Sequence, residues 1–223
     1  MGMQLGRKLA AEFIGTFALI FMGAGLMIVG SGIVGVAFAH GLAIALAVTM
    51  LGHVSGGVFN PALTIGLWST RHLPTLDAVA YIVVQLLGGA AGALMLLTFP
   101  AALRDVANGV PDIVGVDFAQ GTAIEAVLTF FLMLAVFGTA VDRRGPKVGG
   151  FGIGLVITMD IFAAGRLTGA VMNPARAFGP ELVNGAWHNW SLYWIGPVLG
   201  AVLAALIYHY VFLDAEQRAE SAA

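Results

Sequence analysis

Two asparagines set inside apolar stretches carry the clearest chemical signal in the chain: Asn60-Pro61-Ala62 and Asn173-Pro174-Ala175. An asparagine oxygen caps a helix N-terminus and proline suits the first helical position. Each triplet therefore reads as a helix start that keeps amide N–H donors free. The apolar residues that follow last about nine positions, 61–69 and 174–182, which is about 14 Å of helix, half the hydrocarbon thickness of a bilayer. Backbone that breaks at membrane depth must be buried in protein or line a water-filled cavity, so two re-entrant segments are expected. The other polar groups held in apolar surroundings are Glu12, His40, Glu125, Asp160 and Arg176. They form neither a carboxylate pair nor a metal-ligand cluster, and there is no cysteine. No metal or cofactor is expected.

The elements that must position these groups follow from composition. The 223 residues are 59% hydrophobic and 10% charged, against about 25% charged in soluble domains. So little polar surface implies a chain solvated mainly by lipid. A net charge of −2 gives no sign of a nucleic-acid partner. Apolar runs predict six transmembrane helices at 9–29, 34–51, 78–97, 122–141, 150–164 and 192–213, with a polar connector at 100–118. The fold class is an all-α membrane protein, six transmembrane helices plus two re-entrant half-helices, in a single channel-like domain over 1–223. Thirty-one glycines imply close helix contacts.

The two halves, about 8–99 and 119–213, repeat. Glu12-x-x-x-Thr16-Phe17 recurs as Glu125-x-x-x-Thr129-Phe130, and Asn60 recurs as Asn173, each 113 residues on. Gly66 and Gly179 keep that spacing; Tyr81 and Tyr193 slip by one. Three spans per half invert the second half relative to the first, the arrangement of many transport proteins with broken helices at the midplane. Arg7, Lys8, Arg71, Arg143, Arg144, Lys147 and Arg218 fall on one side, so the positive-inside rule puts both termini in the cytoplasm. Short tails and compact loops point to a multi-pass protein of a cell (inner or plasma) membrane.

Taken together, two Asn-Pro-Ala half-helices, the second continued by Arg176, with Ser55-Gly56-Gly57, Gly179-Pro180 and a Glu near the start of spans one and four, resemble the aquaporin family from Lys8 to about Leu213. The resemblance implies a homotetramer with one pore per monomer, passing water and small neutral solutes. It implies that the two half-helix N-termini meet at the membrane centre, that Asn60 and Asn173 donate to a passing water oxygen, and that Glu12 and Glu125 brace the re-entrant loops. A selectivity ring carried over by distance from the triplets consists of His40, Ile161, Ala170 and Arg176. Strict water channels resemble one another in an aromatic residue at the first place and His at the second. His–Ile–small–Arg looks more like the plant tonoplast-intrinsic subgroup, implying a wider ring that also passes ammonia, with hydrogen peroxide and urea as further candidates. Glycerol facilitators resemble one another in an Asp after Asn-Pro-Ala-Arg, where this chain has Ala177; a broader glycerol and urea facilitator is the alternative. The His that the plant subgroup can place in its third connector has no counterpart in 100–118.

Plainer readings stand beside these. His40 is otherwise a packed core histidine. Arg176 has Glu181 as a candidate partner, since an intramembrane Arg is costly unpaired. Asp160 reads as a solvated helix-end carboxylate or a partner of Arg166, with a pH gate as the sharper alternative. His53 and His72 read as loop packing near the inner mouth. Ser55 faintly resembles the nucleophile of a rhomboid-type protease, but Thr168 holds its place in the second half. A structural membrane protein and a coupled transporter are further alternatives, the latter lacking a midplane carboxylate.

Overall fold

A computed structural model describes residues 2–105 and 107–222. Six helices are long and apolar enough to cross a membrane: α1 (Gly2–Ile28), α2 (Gly32–Ser55), α4 (Thr75–Met95), α6 (Phe118–Val136), α7 (Phe151–Thr168) and α9 (Leu192–Ile207). Two shorter ones, α3 (Pro61–Ser69) and α8 (Pro174–Asn184), follow the Asn-Pro-Ala triplets. A single turn, α5 (Ala101–Arg104), lies in the connector, and α10 (Ala215–Ala222) ends the chain. The spans α6 and α9 finish in π-turns, Phe137–Val141 and Tyr208–Phe212.

The helix ends differ from the expected ones where polar residues carry a helix past its apolar window. The first helix begins at Gly2 rather than residue 9. Lys8 lies in its early turns and donates to Asp77 on α4 at 2.7 Å. Four residues are added before span four by the capping box of Asp117 and Gln120. Span five runs to Thr168 rather than 164, and α8 to Asn184 rather than 182, each stopped by a left-handed glycine, Gly169 and Gly185.

Helices cross where glycine removes a side chain. A Cβ on Gly88 would meet the Phe13 carbonyl carbon at 3.3 Å, and one on Gly200 would meet the Ala126 carbonyl carbon at 2.8 Å. Phe13 and Ala126 stand 113 apart, so the α1–α4 crossing recurs as α6–α9. Gly41 and Gly154 face each other's carbonyls between α2 and α7, and Gly179 of α8 faces the carbonyl of Gly89 on α4. The outer surface is an apolar belt. On α2, Val34, Phe38, Leu42, Leu46 and Met50 are exposed at every fourth position, a stripe suited to lipid and unfavourable in water. Inside lies the apolar core around Phe59, Tyr81, Met133 and Phe137.

Candidate functional site

The site is built on two matching loops. In the first, Gly56, Gly57 and Phe59 have φ of 91°, 66° and 50°; in the second, Gly169, Ala170 and Met172 have 85°, 47° and 53°. Left-handed backbone at Phe59, Ala170 and Met172 is strained for residues with a Cβ. Buried carboxylates hold it. Glu12 Oε1 accepts from Ser55 Oγ (2.7 Å) and Val58 N (3.0 Å); Oε2 accepts from Phe59 N (2.6 Å) and Gln85 Nε2 (2.8 Å). Glu125 Oε1 accepts from Thr168 Oγ1 (2.6 Å) and Val171 N (2.8 Å), and Oε2 from Met172 N (2.7 Å). Each loop N–H so bound is one that a helix or sheet would otherwise have satisfied. Ser55 donates to Glu12 and accepts from Gly57 N, as Thr168 donates to Glu125 and accepts from Ala170 N, so both hydroxyls brace their loops. Tyr81 and Tyr193 donate to the carbonyls of Ser55 and Thr168.

With the loops held, the half-helices meet head to head. Asn60 Oδ1 accepts from Ala62 N (2.9 Å), and its Nδ2 donates to the Met172 carbonyl at 2.8 Å. Asn173 Oδ1 accepts from Ala175 N (3.0 Å), and its Nδ2 donates to the Phe59 carbonyl at 2.9 Å. Each asparagine thus caps its own helix and ties itself to the opposite loop. One N–H per amide remains, because a primary amide carries two. Pro61, Ala62, Pro174 and Ala175 are buried behind them.

A cavity of about 350 Å³ runs past these asparagines. Its wall holds His72, Leu73, Ala140 and Val141 at one end and His40, Ile161, Ala170 and Arg176 towards the other. His40 Nδ1 lies 2.9 Å from the Val36 carbonyl; with that acceptor Nδ1 carries the proton and Nε2 presents a lone pair. Nε2 is buried with no protein partner. The imidazole has room because residue 23 is glycine: a Cβ there would overlap the ring. A second recess beyond Ile161 is bordered by Met27, Gly32, Ile33 and Arg166.

Three polar groups are partnered otherwise than the sequence suggests. Arg176 makes no ion pair with Glu181; its Nη1 donates to the Gly109 carbonyl at 3.0 Å and its Nη2 contacts the Met27 sulfur at 2.9 Å. The connector supplies this carbonyl from 67 residues away, a contact no local pattern encodes. Asp160 is neither solvated nor joined to Arg166: it is 2% exposed and its Oδ2 has no partner. It is not at a helix end, because α7 continues eight residues past it to Thr168. His72 is not simple loop packing, since its Nε2 lies 3.2 Å from Nδ1 of His209. Sequence reasoning missed Gln85 and Thr64, hydrogen-bonded to each other behind the first loop. A glutamine in an otherwise apolar span was the available signal.

The model of the family described as "MIP: Major intrinsic protein" matches residues 2–208. Aquaporin AqpM of Methanothermobacter thermautotrophicus is 39% identical over 241 aligned positions, covering 93% of this chain and 98% of that protein. Aquaporin TIP4-4 of Zea mays is 41% identical, covering 93% and 87%. The X-ray structure of the aquaglyceroporin from Plasmodium falciparum superposes with a TM-score of 0.82 at 22% identity, covering 93% of this chain and 96% of that one, and so shares the fold. A chain with six apolar spans, two opposed half-helices and these relatives belongs to the major intrinsic protein family of membrane channels, the aquaporins, and is not an enzyme.

Proposed function

We propose that the chain is a passive water channel that excludes protons and ions and also passes ammonia, with hydrogen peroxide and urea as further small neutral solutes. The observation that carries the reading is the reciprocal asparagine bridge inside a continuous cavity. A water there accepts from the free N–H of Asn60 and of Asn173. Its own protons then point away along the two arms of the passage, and the chain of proton donors is interrupted. Each half-helix N-terminus adds about half a positive charge. Arg176, with its guanidinium anchored to Gly109, adds a full one. Aquaporin-type pores exclude protons and cations by this combination of dipoles and an arginine.

Ammonia follows from the ring. Ile161 and Ala170 supply apolar wall, Arg176 supplies donors, and His40 Nε2 supplies an acceptor for an N–H or O–H. We assign Glu12 and Glu125 to loop support. The apolar belt and the family support a homotetramer with a pore in each subunit, in a cell membrane, with both termini cytoplasmic as the basic residues suggest. Parallel stopped-flow permeabilities for water, ammonia, urea and glycerol in proteoliposomes test the reading. Water flux with a low activation energy, together with ammonia uptake faster than in empty liposomes, is the expected result. Water flux no faster than in empty liposomes overturns the channel assignment. Ammonia uptake at the empty-liposome rate removes the ammonia extension alone, and glycerol flux at the rate of water replaces the water class with the broader facilitator.

A further inference from the structure

The inner mouth carries a side-chain pair that the permeation machinery does not use. His72, in the loop between α3 and α4, lines the cavity wall. His209, in the π-turn closing α9, lies behind it. Their Nε2 and Nδ1 atoms are 3.2 Å apart and the rings cross at 76° with centroids 5.3 Å apart. Both rings are held by aromatic edges, Phe137 against His72 and Tyr210 against His209. A hydrogen bond between two imidazoles needs one protonated nitrogen and one presenting its lone pair, so the accepting ring is neutral and offers a lone pair to a cation.

We propose that His72 and His209 form a binding site for a divalent transition-metal ion of the zinc or copper type, and that an ion bound there obstructs the inner end of the passage. The separation fits. Two nitrogens at about 2.0–2.1 Å from a tetrahedral zinc lie about 3.3–3.4 Å apart, close to the 3.2 Å present. The ion sits off the line between the nitrogens, so each ring's lone pair swings by about 35° toward it, the aromatic neighbours shift with the rings, and the shared proton leaves to solvent. No group of three or more His, Asp or Glu side chains stands together among the described residues, so water from the mouth completes the coordination. Neutral imidazoles without a carboxylate select zinc, copper or nickel over magnesium or calcium. The basic Arg218 side chain near His209 disfavours a cation, which makes the site a reversible one, not a permanent structural centre.

The obstruction rests on the channel reading; the binding does not, so two measurements separate them. Calorimetry of the purified protein with zinc chloride should give one site per chain. Removing one of the two ligands, in either His209→Asn or His72→Asn, should weaken it by about tenfold or more, whereas His53→Asn leaves it unchanged. Copper bound to the wild type should show two equivalent nitrogens in its electron paramagnetic resonance spectrum. In proteoliposomes, zinc on both faces should lower water flux relative to the same sample without metal, and a chelator should restore it. The His209→Asn protein, normalised to its own metal-free flux, should resist. No binding by the wild type, or binding and block retained in both variants, overturns the proposal. Absent basal water flux with binding intact instead defeats the channel assignment.

Discussion

On the proposed reading, single side chains decide what the passage admits, and the decisive ones work by having a donor or acceptor left over. Asn60 and Asn173 use their oxygens and one N–H each within the protein. Replacing Asn173 with Asp keeps the cap but sets a carboxylate oxygen against the Phe59 carbonyl. Water flux should fall and cation leak should rise, read by a pH-sensitive dye in the liposome lumen. Glu12 accepts four hydrogen bonds while fully buried. Glu12→Gln turns one oxygen into a donor facing other donors. A buried donor left unsatisfied costs about 1–3 kcal/mol, so the variant should lose that much stability on detergent thermal melting, and most of its flux. His40→Phe removes an acceptor from the ring. A hydrogen bond of about 1 kcal/mol corresponds to about fivefold in rate, and ammonia permeability should drop by about that factor while water is affected less.

At the scale of elements, function depends on how closely half-helices seat against spans. The α4–α8 crossing is closed by Gly89 and Gly179, each of which would drive a Cβ into the other helix's backbone. Gly179→Val should push α8, and with it Arg176, away from the cavity. Overpacking of this kind costs about 1–3 kcal/mol. The expected phenotype is reduced thermal stability together with lower water flux, measured on the same preparation. Of the expected elements, the six spans and both half-helices were legible from apolar length and from the Asn-Pro caps. The connector's contribution was not. That Gly109 would turn its carbonyl to Arg176 depends on where 100–118 crosses the fold, and nothing periodic in a short polar segment states it.

Across the whole molecule, the loop after α6 and the C-terminal helix act as one unit. Asp142 is buried, and accepts from Arg144 and from Gln217 of α10, while Arg144 also pairs with Asp214. Hydrogen bonds from the Arg144 guanidinium hold the Asp142 carboxyl well below the usual carboxylate range. A folded value below the unfolded one means that the stabilisation is complete above the ordinary carboxylate pKa and is lost as pH falls through the depressed one. Docking of α10 should therefore be constant from neutral pH down to mild acid and fail only in strong acid. Amide hydrogen exchange over residues 215–222 measures it, and Asp142→Ala should free the helix at neutral pH.

The amino-acid order by itself determined the solvent of this chain, the number of spans, the two broken helices and the 113-residue echo between its halves. Those properties come from apolar length, capping chemistry and spacing, all of which act locally along the backbone. Only the tertiary structure decided which polar atom meets which. It gave Arg176 a connector carbonyl instead of Glu181, left Asp160 buried with a free oxygen, set Gln85 against Glu12, and joined His72 to a histidine 137 residues away. Each polar group had several partners within its chemical means. The choice among them was made by the helix crossings, whose closeness rests on where glycines from distant parts of the chain coincide.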